Sequence, residues 1–487
     1  MYLGIDLGTS GIKAVLLDER NTLCAMGEAA LTVQHPHPLW SEQNPAHWWQ
    51  ALESAIGALR TAHPKAWSAV RAMGLSGQMH GAVLLDAQHQ VLRPAMLWND
   101  GRAATQCAEL EAAVPALRSI TGNMAMAGFT APKVQWVRKF EPQVFAQTAK
   151  VLLPKDWLRL ELTGECVSDM SDASGTLWLD VAHREWSPGM LAACGLTPDH
   201  MPRLVEGSAV SGTLKPALAQ RWGLPAGVVV AGGAGDNAAS AIGIGAVGEG
   251  QGFVSLGTSG VIFRVSGSYQ SAPALAVHAF AHAVPQRWHQ MAVMLSAANS
   301  LAWIARMTGA ASEASLDLQV AQLRPEARAQ APVFLPYLNG ERTPHNNPLA
   351  SGAFVGLRDQ HGPADLAYAV MEGVCFGLMD GWAAMGPSPG GDRPLALVGG
   401  GSRSDTWAQL IASGMGVALQ RPLDATHAAA VGAARLGWLA HGAAESEVCK
   451  PLEMRDAFVP DAAQALQLAP RYERFKSLYA SAATTRP

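Results

Sequence analysis

The pentapeptide Leu-Gly-Thr-Ser-Gly occurs twice, at residues 7–11 and 256–260, and no other feature constrains the fold as strongly. Each copy follows a run with strand character, YLGID at 2–6 and FVS at 253–255. Each is followed by another such run, IKAVLLD at 12–18 and VIFRVSG at 261–267. That is the grammar of two strands joined across a tight turn. Common residues match over five positions by chance, but here the same turn sits between the same elements and opens halves of similar size. The pattern predicts an α/β protein built by internal duplication, with domains at residues 1–242 and 243–487 and ligand held in the cleft between them. The remaining periodicity fits this: helices near 46–62, 103–113, 131–139, 155–162, 296–308 and 364–386, and strands near 71–76 and 81–86. At 394–416 a strand, a triple-glycine turn and a helix follow one another, and 427–442 is a helix of small residues.

Composition narrows the function classes. Many of the 49 glycines gather in LGTSG, LSGQMHG, AGGAGDN, GIGAVGEGQG and LVGGGS, next to strand-like runs. Such clusters bring backbone close to a ligand, commonly phosphate. A formal net charge of −4 and no run of Lys and Arg give no case for nucleic acid or an anionic membrane surface. No apolar run reaches the ~20 residues a membrane span requires. The six scattered cysteines include no Cys-x-x-Cys pair and read as thiols in a reducing compartment. With no basic-then-apolar leader at the N-terminus, the expectation is a cytoplasmic protein.

A Gly-Thr-Ser-Gly turn can offer backbone N–H groups and two hydroxyls to an anion without any lysine; the plainer alternative is a pair of ordinary hairpin turns. Asp6 precedes the first turn, while Ser255 holds the matching place before the second. A Mg²⁺ ion bridging terminal phosphates needs one carboxylate, often through water, whereas a second acid would only repel the phosphates. Competing nucleotide motifs are weak. There is no Gly-Lys dipeptide for a Walker A loop, and the G-x-G-x-x-G at 243–248 falls at the end of a helix pattern. LVGGGS at 397–402 reads as backbone for a nucleoside. Asp236, in AGGAGDN, stands at or beside a helix start, where a helix N-cap and a catalytic acid are both open readings. His278 and His282, four apart in a strand-like stretch, read as core or surface histidines rather than a metal pair, and Trp98, beside Asn99 and Asp100, as a ligand contact.

From end to end the chain resembles the FGGY family of carbohydrate kinases, within the actin-like (ribonuclease H-like) ATPase superfamily. The resemblance is carried by MYLGIDLGTSGIKAVLLD (1–18), LSGQMHGAVLLD (75–86), RPAMLWNDGR (93–102) and VLLPKDWLRLELTGE (151–165). In the second half it continues through GDNAASAIGIG (235–245), FLPYLNGERTPHNNP (334–348), MEGVCFGLMDG (371–381) and VGGGSRSD (398–405). The similarity is greatest to the members that phosphorylate D-xylulose. It implies ATP and Mg²⁺, Asp236 as catalytic base, and Asp6 at the metal and the transferred phosphate, the metal held through water. It further implies Thr9, Ser10, Gly257 and Thr258 in the two phosphate turns, and Gly400, Gly401 and Ser402 in the adenosine loop. Met79 and His80 are implied at the sugar, with Trp98, Asn99, Asp100 and Asn237 as further sugar-side contacts. Ribulose or glycerol as acceptor, a nucleotide switch without catalysis, and a homodimer all remain open at this point. A carboxylate at a helix N-terminus is expected to have a lowered pKa, which makes Asp236 a weak base that works mainly by orienting the hydroxyl.

Overall fold

A computed structural model describes residues 1–388 and 390–484. Its centre is two seven-stranded sheets. In the first, Tyr2–Leu7 pairs antiparallel with Gly11–Leu17, which pairs antiparallel with Leu23–Ala30. On its other side Tyr2–Leu7 runs parallel to Ala72–Gly77, which is parallel to Val229–Ala231 and to the short strand Ala234–Gly235. Val210–Thr213 closes that edge antiparallel. The second sheet repeats the plan. Gly252–Leu256 is antiparallel to Gly260–Ser266, and that strand to Trp288–Met294; Gly252–Leu256 is also parallel to Leu395–Val398, and that strand to Leu419–Pro422. His278–Ala281 and Met454–Phe458 form the two edges. The duplication read from one pentapeptide thus extends to strand order and direction.

The two turns are not identical. Leu7 lies opposite Ile12, which leaves four residues in the first turn, whereas Leu256 lies opposite Gly260, which leaves three in the second. The predicted strand at 81–86 shortens to Val83–Leu85 and pairs outside the main sheet, with Lys150–Leu152.

Tyr2–Leu7 is apolar at every position but Asp6 because both its faces are covered. One cover is the helix Ala428–Ala440, contributed by the second half of the chain. It packs on Tyr2–Leu7 and Ala72–Gly77 and crosses the helix Asp236–Ile244. At that crossing a Cβ on Gly432 would fall inside the van der Waals radius of the Ala239 carbonyl, so only glycine allows the two backbones to meet. Tyr2 stacks on Trp438 with ring centroids 5.0 Å apart. Around the pair, Val15, Ala72, Ala231, Ala239, Ile242, Ala434 and Leu436 form a core built from both halves. Asp236–Ile244 ends at Gly245, whose φ of +81° stops the helix, so the glycine run at 243–248 is a helix terminus as predicted. Among the described residues no helix is long and apolar enough to cross a membrane.

Candidate active site

Asp236 is the first residue of its helix, and the N-cap is Gly235, in extended conformation and with no side-chain cap. The N-cap reading of Asp236 therefore fails. Asp236 Oδ1 accepts from the Asn237 backbone N–H at 2.7 Å and from Asn237 Nδ2 at 2.9 Å. Asn237 thus holds the acid in place. Asp6 lies near the end of Tyr2–Leu7, where its Oδ1 accepts from Ser76 Oγ at 2.8 Å. The two acids sense each other: burial first, then the charge of Asp6, lifts Asp236 from 3.8 to about 6. Burial also pushes Asp6 up, against the pull of Ser76 and Lys13. The expected lowering of Asp236 is thus reversed, because loss of water around the carboxylate outweighs the helix terminus. A carboxyl group near 6 is well matched to proton abstraction at neutral pH.

His80 follows the strand Ala72–Gly77 in a tight turn and has φ of +67°. Its carbonyl accepts from Lys133 Nζ at 2.8 Å and Thr130 Oγ1 at 3.2 Å, which hold the turn in that sparsely populated conformation. His80 Nδ1 donates to the Gly175 carbonyl at 2.7 Å, and burial lowers the imidazole pKa to about 3. The ring is therefore neutral, and its Nε2 presents a lone pair that can accept from a hydroxyl. Met79, only 5% exposed, packs against Gly235 and Gly175. It forms a wall between the His80 turn and the start of the Asp236 helix, and little of it faces open space.

Thr9 Oγ1 donates to Gln78 Oε1 at 3.0 Å and accepts from Trp98 Nε1 at 3.0 Å. Its proton is committed within the protein, so the two-hydroxyl picture of the first turn is corrected: Ser10, which is exposed, and the backbone are what the turn can offer. The same bonds tie the first turn to the loop that carries His80 and to the Trp98 segment. Trp98 and Asn99 are exposed. Asp100 is not. Its carboxylate is bonded to the Arg102 guanidinium at 2.6 Å and to the Ser41 N–H at 2.7 Å, and its side chain has no exposed surface. Asp100 is corrected from a sugar contact to a buried anchor of its loop.

In the second half, Gly257, Thr258, Gly400 and Gly401 meet in one cavity of about 620 Å³ with Asn299, Asp317 and Trp407. The carbonyls of Gly257 and Thr258 accept from the N–H groups of Ala298 and Ala297, which fixes the turn to the helix Ala298–Thr308. Ser402 departs from this group. Its Oγ donates to the Gly399 carbonyl at 2.7 Å, and it lines an adjoining cavity of about 510 Å³ with Asn237, Ser240 and Ser255. His278 and His282 are buried at 2% and 0% exposure, which places both in the core rather than at the surface.

One supporting network leaves almost no mark on the local sequence. Ser171 Oγ receives the Gly235 N–H at 3.2 Å and donates to Asp169 Oδ2 at 2.5 Å. Asp169 in turn meets the fully buried Lys155 ammonium at 2.7 Å. The N-cap of the Asp236 helix is thus anchored to a buried ion cluster. Lysine and aspartate adjoining in an otherwise apolar segment, PKDWL, are its one visible trace.

Two family models match: the N-terminal domain of the FGGY family of carbohydrate kinases over residues 1–243, and its C-terminal domain over 252–441. The chain belongs to the FGGY family of carbohydrate kinases. It is 52% identical over 481 residues to the xylulose kinase of Escherichia coli K12, covering 98% of both chains. To that of Klebsiella pneumoniae it is 52% identical over 482 residues, again with 98% coverage of each. Among solved structures, a xyloylose kinase from Brucella ovis superposes with a TM-score of 0.96 at 49% identity over 100% of both chains. The xylulose kinase of Rhodospirillum rubrum gives a TM-score of 0.92 at 29% identity, covering 99% of this chain and 98% of that one. This FGGY kinase is therefore an enzyme that transfers phosphate to a carbohydrate, and the paired acids belong to a phosphotransferase.

Proposed function

We propose that this kinase transfers the γ-phosphoryl group of ATP to the terminal hydroxyl of D-xylulose, giving D-xylulose 5-phosphate, with residues 1–242 and 243–487 forming the two sides of the cleft. The observation that carries the reading is 52% identity, spread over nearly the whole chain, to xylulose kinases.

In this reading Asp236 hydrogen-bonds the acceptor hydroxyl, aligns it in line with the γ-phosphorus, and takes its proton late in a loose transition state. His80 accepts from a sugar hydroxyl through Nε2, while Trp98, Asn99 and Asn237 border the same space and Met79 backs it. The backbone of the first turn with Ser10, and that of Gly257 and Thr258, faces the phosphates, and Gly400 and Gly401 support the adenosine. The donor set at Asp6 fits Mg²⁺, which prefers one or two carboxylates plus phosphate and water. One Asp6 oxygen is tied to Ser76, and the other accepts from no protein group among the described residues. Asp6 would hold the ion through water; bound there, Mg²⁺ supplies charge neutralisation of the phosphates.

A coupled assay of ADP release across D-xylulose, D-ribulose and glycerol tests the substrate. D-xylulose should lead by at least roughly 10-fold in kcat/KM, or about 1.4 kcal/mol, and His80→Ala should flatten that lead while leaving KM for ATP alone. Preference for another acceptor refutes the assignment.

A further inference from the structure

Arg342 belongs to the GERTP segment of the second half, yet its guanidinium reaches the ring cluster that carries His80. Among the described residues it makes no ion pair. Neighbouring Glu341 acts on it by charge but forms no ion pair with it: Glu341 Oε1 accepts from the backbone N–H groups of Leu295 at 2.9 Å and Arg342 at 2.7 Å, and Oε2 is buried without a hydrogen-bond partner. The one hydrogen-bonding contact of the guanidinium among the described residues is Nη1 to His278 Nε2, at 3.4 Å. His278 is fixed on its other side, with Nδ1 3.1 Å from Asn123 Oδ1 of the first half. Its ring lies 5.5 Å from that of Phe129, and Phe129 lies 4.6 Å from His80. The Arg342 charge contributes to the lowered pKa of both imidazoles, directly after burial at His278 and, at His80, after burial and the Lys133 ammonium.

A guanidinium has five N–H donors and no acceptor. Here one donor meets a weak, long contact, and the residue is partly open to solvent. An arginine in this position has donors to spare for oxygen atoms. It also marks an end of the site: Asp236 has an acid beside it, whereas His80 has two cations, Lys133 and then Arg342, of which only Arg342 comes from the second half.

We propose that Arg342 is the second half's own contact to the sugar, donating to the oxygens at the end remote from the phosphorylated hydroxyl, where a 2-ketose carries its carbonyl. Arg342 is then a specificity-determining residue. It prefers a ketose to the corresponding polyol, because a carbonyl oxygen is an acceptor only and suits a donor-only group. The inference rests on the ketose reading above.

The test is steady-state kinetics of Arg342→Met and Arg342→Lys with D-xylulose, with xylitol as the polyol made by reducing the carbonyl, and with ATP varied separately. Equilibrium binding of D-xylulose is followed in parallel by tryptophan fluorescence. Arg342→Met should raise KM and Kd for D-xylulose by roughly 10-fold or more, the scale for leaving polar groups unpaired in a site built to bond them. The ketose-to-polyol ratio of kcat/KM should fall by a similar factor, KM for ATP should stay within about twofold, and Arg342→Lys should lie between. An unchanged KM and ratio in Arg342→Met overturns the inference. So does joint loss of sugar and ATP binding, which would mark Arg342 as a structural residue. A wild-type enzyme that does not phosphorylate D-xylulose overturns instead the substrate assignment on which the inference stands.

Discussion

Replacing Asp236 by asparagine should make the enzyme more stable and nearly inactive at once. Burial, reinforced by Asp6, holds the Asp236 pKa at about 6 instead of 3.8. The folded state therefore binds this proton more tightly than the unfolded chain. As pH rises from 3.8 the unfolded state ionises first, stability falls through the window up to about 6, and above it the full penalty persists. A pKa difference of about 2, at about 1.4 kcal/mol for each step of one, puts that penalty at about 3 kcal/mol. The substituted amide carries no charge to desolvate and keeps an oxygen for the Asn237 N–H groups. With a melting entropy of about 2.1 cal/mol/K per residue over 487 residues, the gain corresponds to a rise in Tm of about 3 °C. Calorimetry of both proteins at pH 8 and pH 4, without ligands, reads this directly: a clear rise at pH 8 that closes at pH 4. The same variant should lose roughly 10²-fold or more in kcat, the scale of a removed general base. A variant that melts at or below wild type at pH 8, or whose advantage persists at pH 4, refutes the argument that the acid is held at a cost.

Wild-type kcat/KM should fall about tenfold per pH unit below about 6 as Asp236 gains its proton; a profile flat to pH 5 contradicts the base assignment. Asp6→Ser should raise the Mg²⁺ needed for half-maximal rate and lower turnover, whereas Ser255→Asp should raise KM for MgATP by charge repulsion; titrations matching wild type in both would end the idea that the two turns must differ in charge. Gly432→Ala should destabilise by at least roughly 1–3 kcal/mol, the cost of overpacking, since its methyl meets the Ala239 carbonyl; a thermal melt at the wild-type temperature would show that the crossing can yield.

The architecture was legible because a duplicated fold writes its turn twice, and because buried strands leave near-continuous apolar runs such as YLGIDL, broken only by Asp6, and GVVVAGG. The Asp236 and His80 turns could be read from glycine clusters flanking single polar residues. The chemical state of those residues could not. Whether Asp236 is raised or lowered depends on how much water is removed and on Asp6, a neighbour 230 positions away in sequence that only folding brings near. Asp100 misled for a related reason. Next to Trp98 and Asn99 it looks like a ligand residue, but Arg102 two positions on claims its carboxylate. Thr9 looked free until its partners, Gln78 and Trp98, arrived from other loops. Arg342 and most of the Lys155 cluster meet their partners across distant segments, and the local pattern shows only the adjoining Lys155 and Asp156.

The helix Ala428–Ala440 has a consequence for how this enzyme can be divided. Ancestral halves of a duplication begin as units that fold alone, but here the second half supplies the lid over the central strands of the first. Without that helix, Ala72, Val15, Ala231 and Ile242 would face water as one apolar patch, and an exposed patch of that kind drives association. Residues 1–242 expressed alone should therefore be recovered in aggregates, and co-expression with the remainder should restore soluble protein. The duplicated parts have become mutually dependent, so a swap between relatives that exchanges one half must carry residues 428–440 along with the surface they cover.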